Sequence, residues 1–208
     1  MKMSFKQFLK EAPLPDDWDH AIYNPRIPFA QRIKYATARA TKIGSGSSRV
    51  AFKLPYQGRS TVLKIAKNKK GMAQNEHEAQ MLTDYYLKRL NIVIPIIDYD
   101  EQSQSPTWIH TEFANKAKPS DFKKQCGGEL KDLISYALKV TGKDGPAWGN
   151  SEKINEYSDL AQEFVDIIGS YDLPIADFGR VANWGIYEGR LVIIDIGLSY
   201  DVYEEHYS

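Results

Sequence analysis

Residues 41–66, TKIGSGSSRVAFKLPYQGRSTVLKIA, decide the fold. Val50, Phe52 and Leu54 recur at every second position, the period of a half-buried strand. Ahead of them, Gly44 and Gly46 with Ser45, Ser47 and Ser48 interrupt the chain. Behind them, Gln57–Ser60 interrupts it again around Gly58. Val62–Ile65 then resumes an apolar run. The stretch reads as strand, glycine-serine turn, strand, turn, strand.

Downstream, residues 72–90 place Ala79, Leu82, Tyr86 and Leu90 on one side, which predicts a helix. Ile92–Asp98 and Thr107–Phe113 are two apolar runs joined by a polar stretch, a strand pair. Three strands, a helix and two strands predict an α+β lobe over 41–114, five-stranded with one main helix. The remainder, 115–208, reads as a small, mostly helical lobe. Helices are expected at 129–140 and 152–169, with the glycine-rich loop TGKDGPAWGN between them. It closes on a β-hairpin, Trp184–Tyr187 and Arg190–Asp195 about Glu188–Gly189. Upstream, residues 30–40 are helix-compatible and basic. Residues 13–29 hold four prolines and read as an extended strap. Residues 1–12, MKMSFKQFLKEA, repeat Met1, Phe5, Phe8, Leu9 and Ala12 at helical spacing. Residues 1–40 therefore form an N-terminal extension.

Composition narrows the function. A hydrophobic fraction of 42% and a charged fraction of 26% exclude wholesale disorder. Lys+Arg and Asp+Glu are both 27, so no cationic excess supports general nucleic-acid binding. One cysteine, Cys126, excludes an internal disulfide and a multi-cysteine metal site. No apolar run reaches the roughly 18–20 residues of a membrane span, and no secretory core is expected. The four histidines, His20, His77, His110 and His206, are scattered without metal-ligand spacing, and His77 reads as a surface helix residue.

Four features carry candidate chemistry, each with a plain alternative. The turn Gly44-Ser45-Gly46-Ser47-Ser48 lets backbone N–H groups approach phosphate oxygens; taken alone it reads first as a plain flexible hairpin. Lys64, inside an apolar strand, calls for an anion; it could also snorkel. Glu78, on the following helix, could be that anion or an exposed glutamate. Asn183 and Asp195 lie at the two ends of the C-terminal hairpin, where an amide oxygen and a carboxylate could converge on magnesium; they could also cap a turn and close a strand.

The order of these features resembles the protein-kinase-like fold over about residues 41–199. The resemblance implies ATP and Mg2+ bound between two lobes. The glycine turn would cover the phosphates, Lys64 would hold them, and Glu78 would orient Lys64. Asn183 and Asp195 would bind magnesium. Thr111-Glu112-Phe113-Ala114 looks like the hinge that holds an adenine ring, which makes Glu112 a cofactor-binding position. Asp177-Phe178-Gly179 spells the family's metal motif but precedes Asn183. Asp195-Ile196-Gly197 is taken as the metal motif instead, and Asp177 falls where the catalytic aspartate belongs.

The departures are specific. Ile175-Ala176 replaces the His-Arg pair ahead of that aspartate, and Arg49 replaces the third glycine. Only 13 residues follow Asp195, which leaves no room for a peptide-binding platform. The expected protein is a truncated, phage-type kinase-like phosphotransferase acting on a host or phage protein. The alternatives are an inactive pseudokinase that serves as a virion interaction protein, and an α+β phage protein unrelated to kinases.

A second resemblance lies at the N-terminus. MKMSFKQFLKEA is similar to the capsid-targeting peptide of internal head proteins of T-even-like tailed phages, with Leu9-Lys10-Glu11 as the cleavage site. The segments SSRVAF and LKIAKN also resemble uncharacterised phage kinase-like proteins. These likenesses imply residence in the phage head or the host cytoplasm, and a head or host protein as partner.

Overall fold

Gln57 and Gly58 take φ of 47° and 76°, and Glu188 and Gly189 take 49° and 82°. Two successive left-handed residues make the tight hairpin turn whose twist matches that of paired strands. The first turn joins β2 (Arg49–Tyr56) to β3 (Arg59–Ala66), the second joins β7 (Trp184–Tyr187) to β8 (Arg190–Ile193). These turns organise a computed structural model that describes residues 14–207 apart from 16, 24, 25, 102, 104 and 147. The amphipathic helix and cleavage site expected within residues 1–12 lie outside the described residues.

The chain divides into two units, 1–76 with 96–113, and 77–95 with 114–208. In the first, β1 (Thr41–Ser45), β2, β3, β4 (Ile96–Tyr99) and β5 (Trp108–Glu112) form an antiparallel sheet in the order β1-β2-β3-β5-β4. One face carries Val50, Phe52, Leu54, Leu63, Ile65 and Trp108. Leu14, Trp18 and Tyr23 of the strap and Ala36 of α1 (Phe29–Thr37) complete that core. The strap is only partly extended: His20–Tyr23 coils into a 3-10 turn, and the rings of Trp18, Tyr23 and Tyr35 pack together. Successive strand residues face opposite sides, and Lys64 pairs with Ala51 and Ile109. Lys64 therefore lies on the face opposite this core.

Several elements end where side chains cap them. The predicted helix 72–90 is α2 (Lys69–Thr83), followed by a 3-10 turn at Leu87–Arg89. Just past its end, Asp84 Oδ1 accepts from the Leu87 N–H at 2.8 Å, at the start of that turn. The predicted helix 152–169 is α5 (Asp159–Ser170), because the Ser158 Oγ accepts from the Ala161 N–H and starts the helix there. The strand read at Ile92–Asp98 is shorter: β4 begins at Ile96, and Ile92 and Ile94 instead bond the backbone of Ile193 at the edge of β8.

The second unit holds α3 (Pro119–Cys126), α4 (Leu130–Thr141), α5, α6 (Ile175–Phe178) and α7 (Tyr200–Tyr207). Its sheet has the order β6-β7-β8, with β6 at Asn115–Lys116. Among the described residues, no helix is long and apolar enough to cross a membrane.

The glycine-rich loop after α4 is fastened back onto that helix. Asn150 N–H donates to Asp132 Oδ1 at 2.7 Å, and Gly149 N–H to Ser135 Oγ at 2.9 Å. Asp132 is 1% exposed and also accepts from the Glu129 N–H at 3.0 Å. Burial opposes its ionisation, but these two N–H groups, with Lys153 and Lys131, hold its pKa below the ordinary carboxylate value. A carboxylate with a depressed native pKa stabilises the fold above the unfolded value near 3.9, and that stability is lost as pH falls through the native value. The Asp132→Asn variant should therefore unfold at lower urea than the wild type at pH 7. The gap between the two midpoints should narrow as the pH is taken down to 3.

Candidate functional site

The glycine-serine turn is tied to the start of α2. Gly46 N–H donates to the Arg49 carbonyl at 2.9 Å, closing the turn between β1 and β2. Lys67 Nζ donates to the Gly46 carbonyl at 2.8 Å, and Asn68 Nδ2 to the Ser47 carbonyl at 3.2 Å. Lys67 N–H donates to the Ser48 carbonyl at 2.7 Å. Ser48 Oγ donates to Gln74 Oε1, and Arg49 Nη1 to Asn75 Oδ1 at 3.3 Å. A Cβ on Gly71 would stand 2.2 Å from the Ser48 carbonyl oxygen, so only glycine fits there. Gly44 and Ser45 belong to β1, paired with Ala51 and Val50.

Lys64 is 8% exposed and Glu78 is 0% exposed. Side chains of this kind are buried only when ion-paired or hydrogen-bonded, and each has a partner. Lys64 therefore sits in the sheet as a buried side chain rather than a solvated surface lysine. Glu112, at the end of β5, is held by Arg59 at 2.8 Å. Its side chain is thus committed to an ion pair with the start of β3.

In the second unit, Asp177 lies in α6 and Asn183 ends the 3-10 turn Val181–Asn183. Asn183 Nδ2 donates to the Asp177 carbonyl at 2.8 Å. This uses the nitrogen end of the amide and leaves its Oδ1 as the end able to ligate a cation. Trp184, the next residue, donates its indole N–H to the Phe178 carbonyl at 2.9 Å. The indole is 1% exposed and packs on Phe122 and Phe164, with Phe164 on Phe178. Two adjacent side chains thus staple α6 to the start of β7. Across the hairpin, Trp184 pairs with Ile193, and Ile194 N–H donates to the Asn183 carbonyl at 2.9 Å. Asp195 follows immediately. The hairpin end therefore sets Asn183 beside the backbone that leads into Asp195, with the Asp177 carbonyl on the Asn183 amide. All three are half-buried, and Arg180 lies 4.0 Å from the Asp177 carboxylate.

Sequence reasoning missed the groups that fasten these features. Lys67 and Asn68 stand in the basic stretch Lys67-Asn68-Lys69-Lys70, and they hold the glycine turn. The available signal was Asn68 directly before a helix: its Oδ1 accepts from the Gly71 N–H at 3.0 Å, the bond of an N-cap. His77, read as a surface residue, has a buried Nε2 without a hydrogen-bond partner among the described residues. Burial lowers its pKa, with Glu78 and Asp201 pulling the other way. Among the described residues, no group of three or more His, Cys, Asp or Glu could hold a metal ion. No protein-family model and no curated protein matches the chain.

Removing the indole N–H while keeping an aromatic ring tests the staple. Trp184→Phe leaves the Phe178 carbonyl without its donor and should cost about 2 kcal/mol, read from urea unfolding at pH 7.

Proposed function

We propose that the chain is a phage-type kinase-like protein that binds ATP with Mg2+ and transfers the γ-phosphoryl group to a hydroxyl of a host or phage protein. The observation that carries this reading is the bond from the Asn183 amide to the Asp177 carbonyl, at the hairpin end that also bears Asp195. The sheet order β1-β2-β3-β5-β4 supports it, with the glycine turn ahead of β2 and a buried lysine on β3. Magnesium takes oxygen ligands and commonly keeps one or two protein ligands beside phosphate oxygens and water. Asn183 Oδ1 and the Asp195 carboxylate are such a pair. The glycine turn and Lys64 would neutralise phosphate charge, and Glu78 would orient Lys64. The backbone around Glu112 would hold the adenine. Asp177 would orient the acceptor hydroxyl and take its proton as the new P–O bond forms and the bond to ADP breaks.

A second reading, a nucleotide-binding pseudokinase of the virion, is favoured by Ile175-Ala176 ahead of Asp177. Both readings put the protein in a phage head or the host cytoplasm, on a leader that lies outside the described residues.

A thermal-shift titration with ATP and Mg2+, followed by γ-labelled ATP with host extract, tests the two together. At 100 times its dissociation constant, ATP should stabilise the wild type by about 2.7 kcal/mol. Lys64→Met and Asp195→Ala should lose that shift. Asp177→Asn should keep the shift and lose label transfer. A shift with no transfer by the wild type selects the pseudokinase, and no shift overturns nucleotide binding.

A further inference from the structure

Three successive carbonyl groups of the glycine turn, those of Gly46, Ser47 and Ser48, accept hydrogen bonds from only two residues, Lys67 and Asn68. The consequence lies in the peptide planes. In a trans peptide the N–H of one residue points opposite to the carbonyl of the residue before it, and no peptide bond here is cis. Drawing the Gly46 and Ser47 carbonyls toward residues 67–68 therefore turns the N–H groups of Ser47 and Ser48 to the other side, together. Two adjacent N–H groups aimed the same way make an anion-binding edge. Two further contacts hold the turn in this state. Ser48 Oγ donates to Gln74 on α2, and the absent side chain of Gly71 lets the Ser48 carbonyl approach the helix.

We propose that Lys67 and Asn68 are positioning residues for phosphate binding. They set the direction of the Ser47 and Ser48 amides and need not touch the phosphates themselves. This rests on the nucleotide reading, but the ordering of the turn can be measured without nucleotide. The two residues also play separable parts. Lys67 carries a charge that could act on phosphate directly, whereas Asn68 is neutral. The Asn68 amide nitrogen holds the turn while its oxygen caps α2 through Gly71. Serine is also a good N-cap but is too short to bridge to the Ser47 carbonyl. Asn68→Ser thus removes the hold on the turn, keeps the cap and changes no charge.

The experiment uses the full chain as wild type, Asn68→Ser and Lys67→Met. Backbone 15N relaxation of Gly46–Ser48 is measured without ligand, and affinities for Mg-ATP and for adenosine are measured by calorimetry. In the wild type these residues should have order parameters near 0.85, and in both variants below about 0.6. Both variants should bind Mg-ATP about tenfold more weakly and adenosine as the wild type does, because the adenine contacts are untouched. Unchanged order parameters in both variants overturn the proposal. So does weaker Mg-ATP binding in Lys67→Met alone, which would make Lys67 a simple charge. Should Asn68→Ser fail to fold, the order parameters of Lys67→Met decide, because that substitution leaves the cap intact. A wild type that binds no Mg-ATP overturns the nucleotide reading and the phosphate role together, while the relaxation data still decide whether residues 67–68 hold the turn.

Discussion

A backbone carbonyl that finds no partner inside a folded chain costs about as much as a lost hydrogen bond. At Gly46–Ser48 the carbonyl of the buried Ser48 faces this demand, and the same two residues at the start of α2 that meet it also hold the carbonyls of the exposed Gly46 and Ser47. Much of the first unit follows from that arrangement. The glycine turn cannot swing freely, because Ser48 and Arg49 are also bonded to Gln74 and Asn75. Asn75 in turn donates to the Pro106 carbonyl, just ahead of β5. The turn, the first turns of α2 and the approach to β5 are thus one hydrogen-bonded assembly. Gly71 is the residue that lets the helix come close enough to build it.

The second unit uses the same economy with different donors. Asn183 and Trp184 are neighbours in sequence, and each donates to a carbonyl of α6. The four-residue helix α6 is too short to be stable by itself. It is held by these two bonds and by the aromatic packing of Phe178, Phe164, Trp184 and Phe122. The backbone of Asp177 is thereby fixed beside Asn183. The pairing of Trp184 with Ile193 brings Asp195 to the same end of the hairpin.

Local signals were legible wherever the physics is local. The period of two in Val50, Phe52 and Leu54 reads directly as the buried face of β2. Gly58 and Gly189 mark the two tight turns, because left-handed backbone favours glycine. Element ends were harder to read where a polar side chain decides them. Asp84 and Ser158 look like ordinary polar residues until their oxygens meet the N–H groups of Leu87 and Ala161. Helix α3 was overlooked, although Pro119 at its start and Gly127, with φ of 86° after its end, are the usual punctuation. The strap from Leu14 to Tyr23 showed its prolines in sequence but not the face it covers. That depends on Trp18 and Tyr23 meeting side chains of β2, β3 and β5.

By itself the sequence determined a five-stranded unit with one main helix and the hairpin of the second unit; it did not show that the unit continues past the hairpin into α7. Hydrophobic period and turn chemistry act between residues close along the chain, so they survive in one dimension. Tertiary structure alone decided that Lys67 and Asn68 hold the glycine turn, that Asn183 and Trp184 hold α6, and that Lys64 and Glu78 are buried. The bonds to the glycine turn join residues 21 apart in sequence, while those to α6 span only six residues but need the packed rings of Phe122, Phe164 and Trp184 to hold α6 in place. A lone lysine or asparagine has the same composition whether it faces solvent or a carbonyl, and only the fold chooses between them.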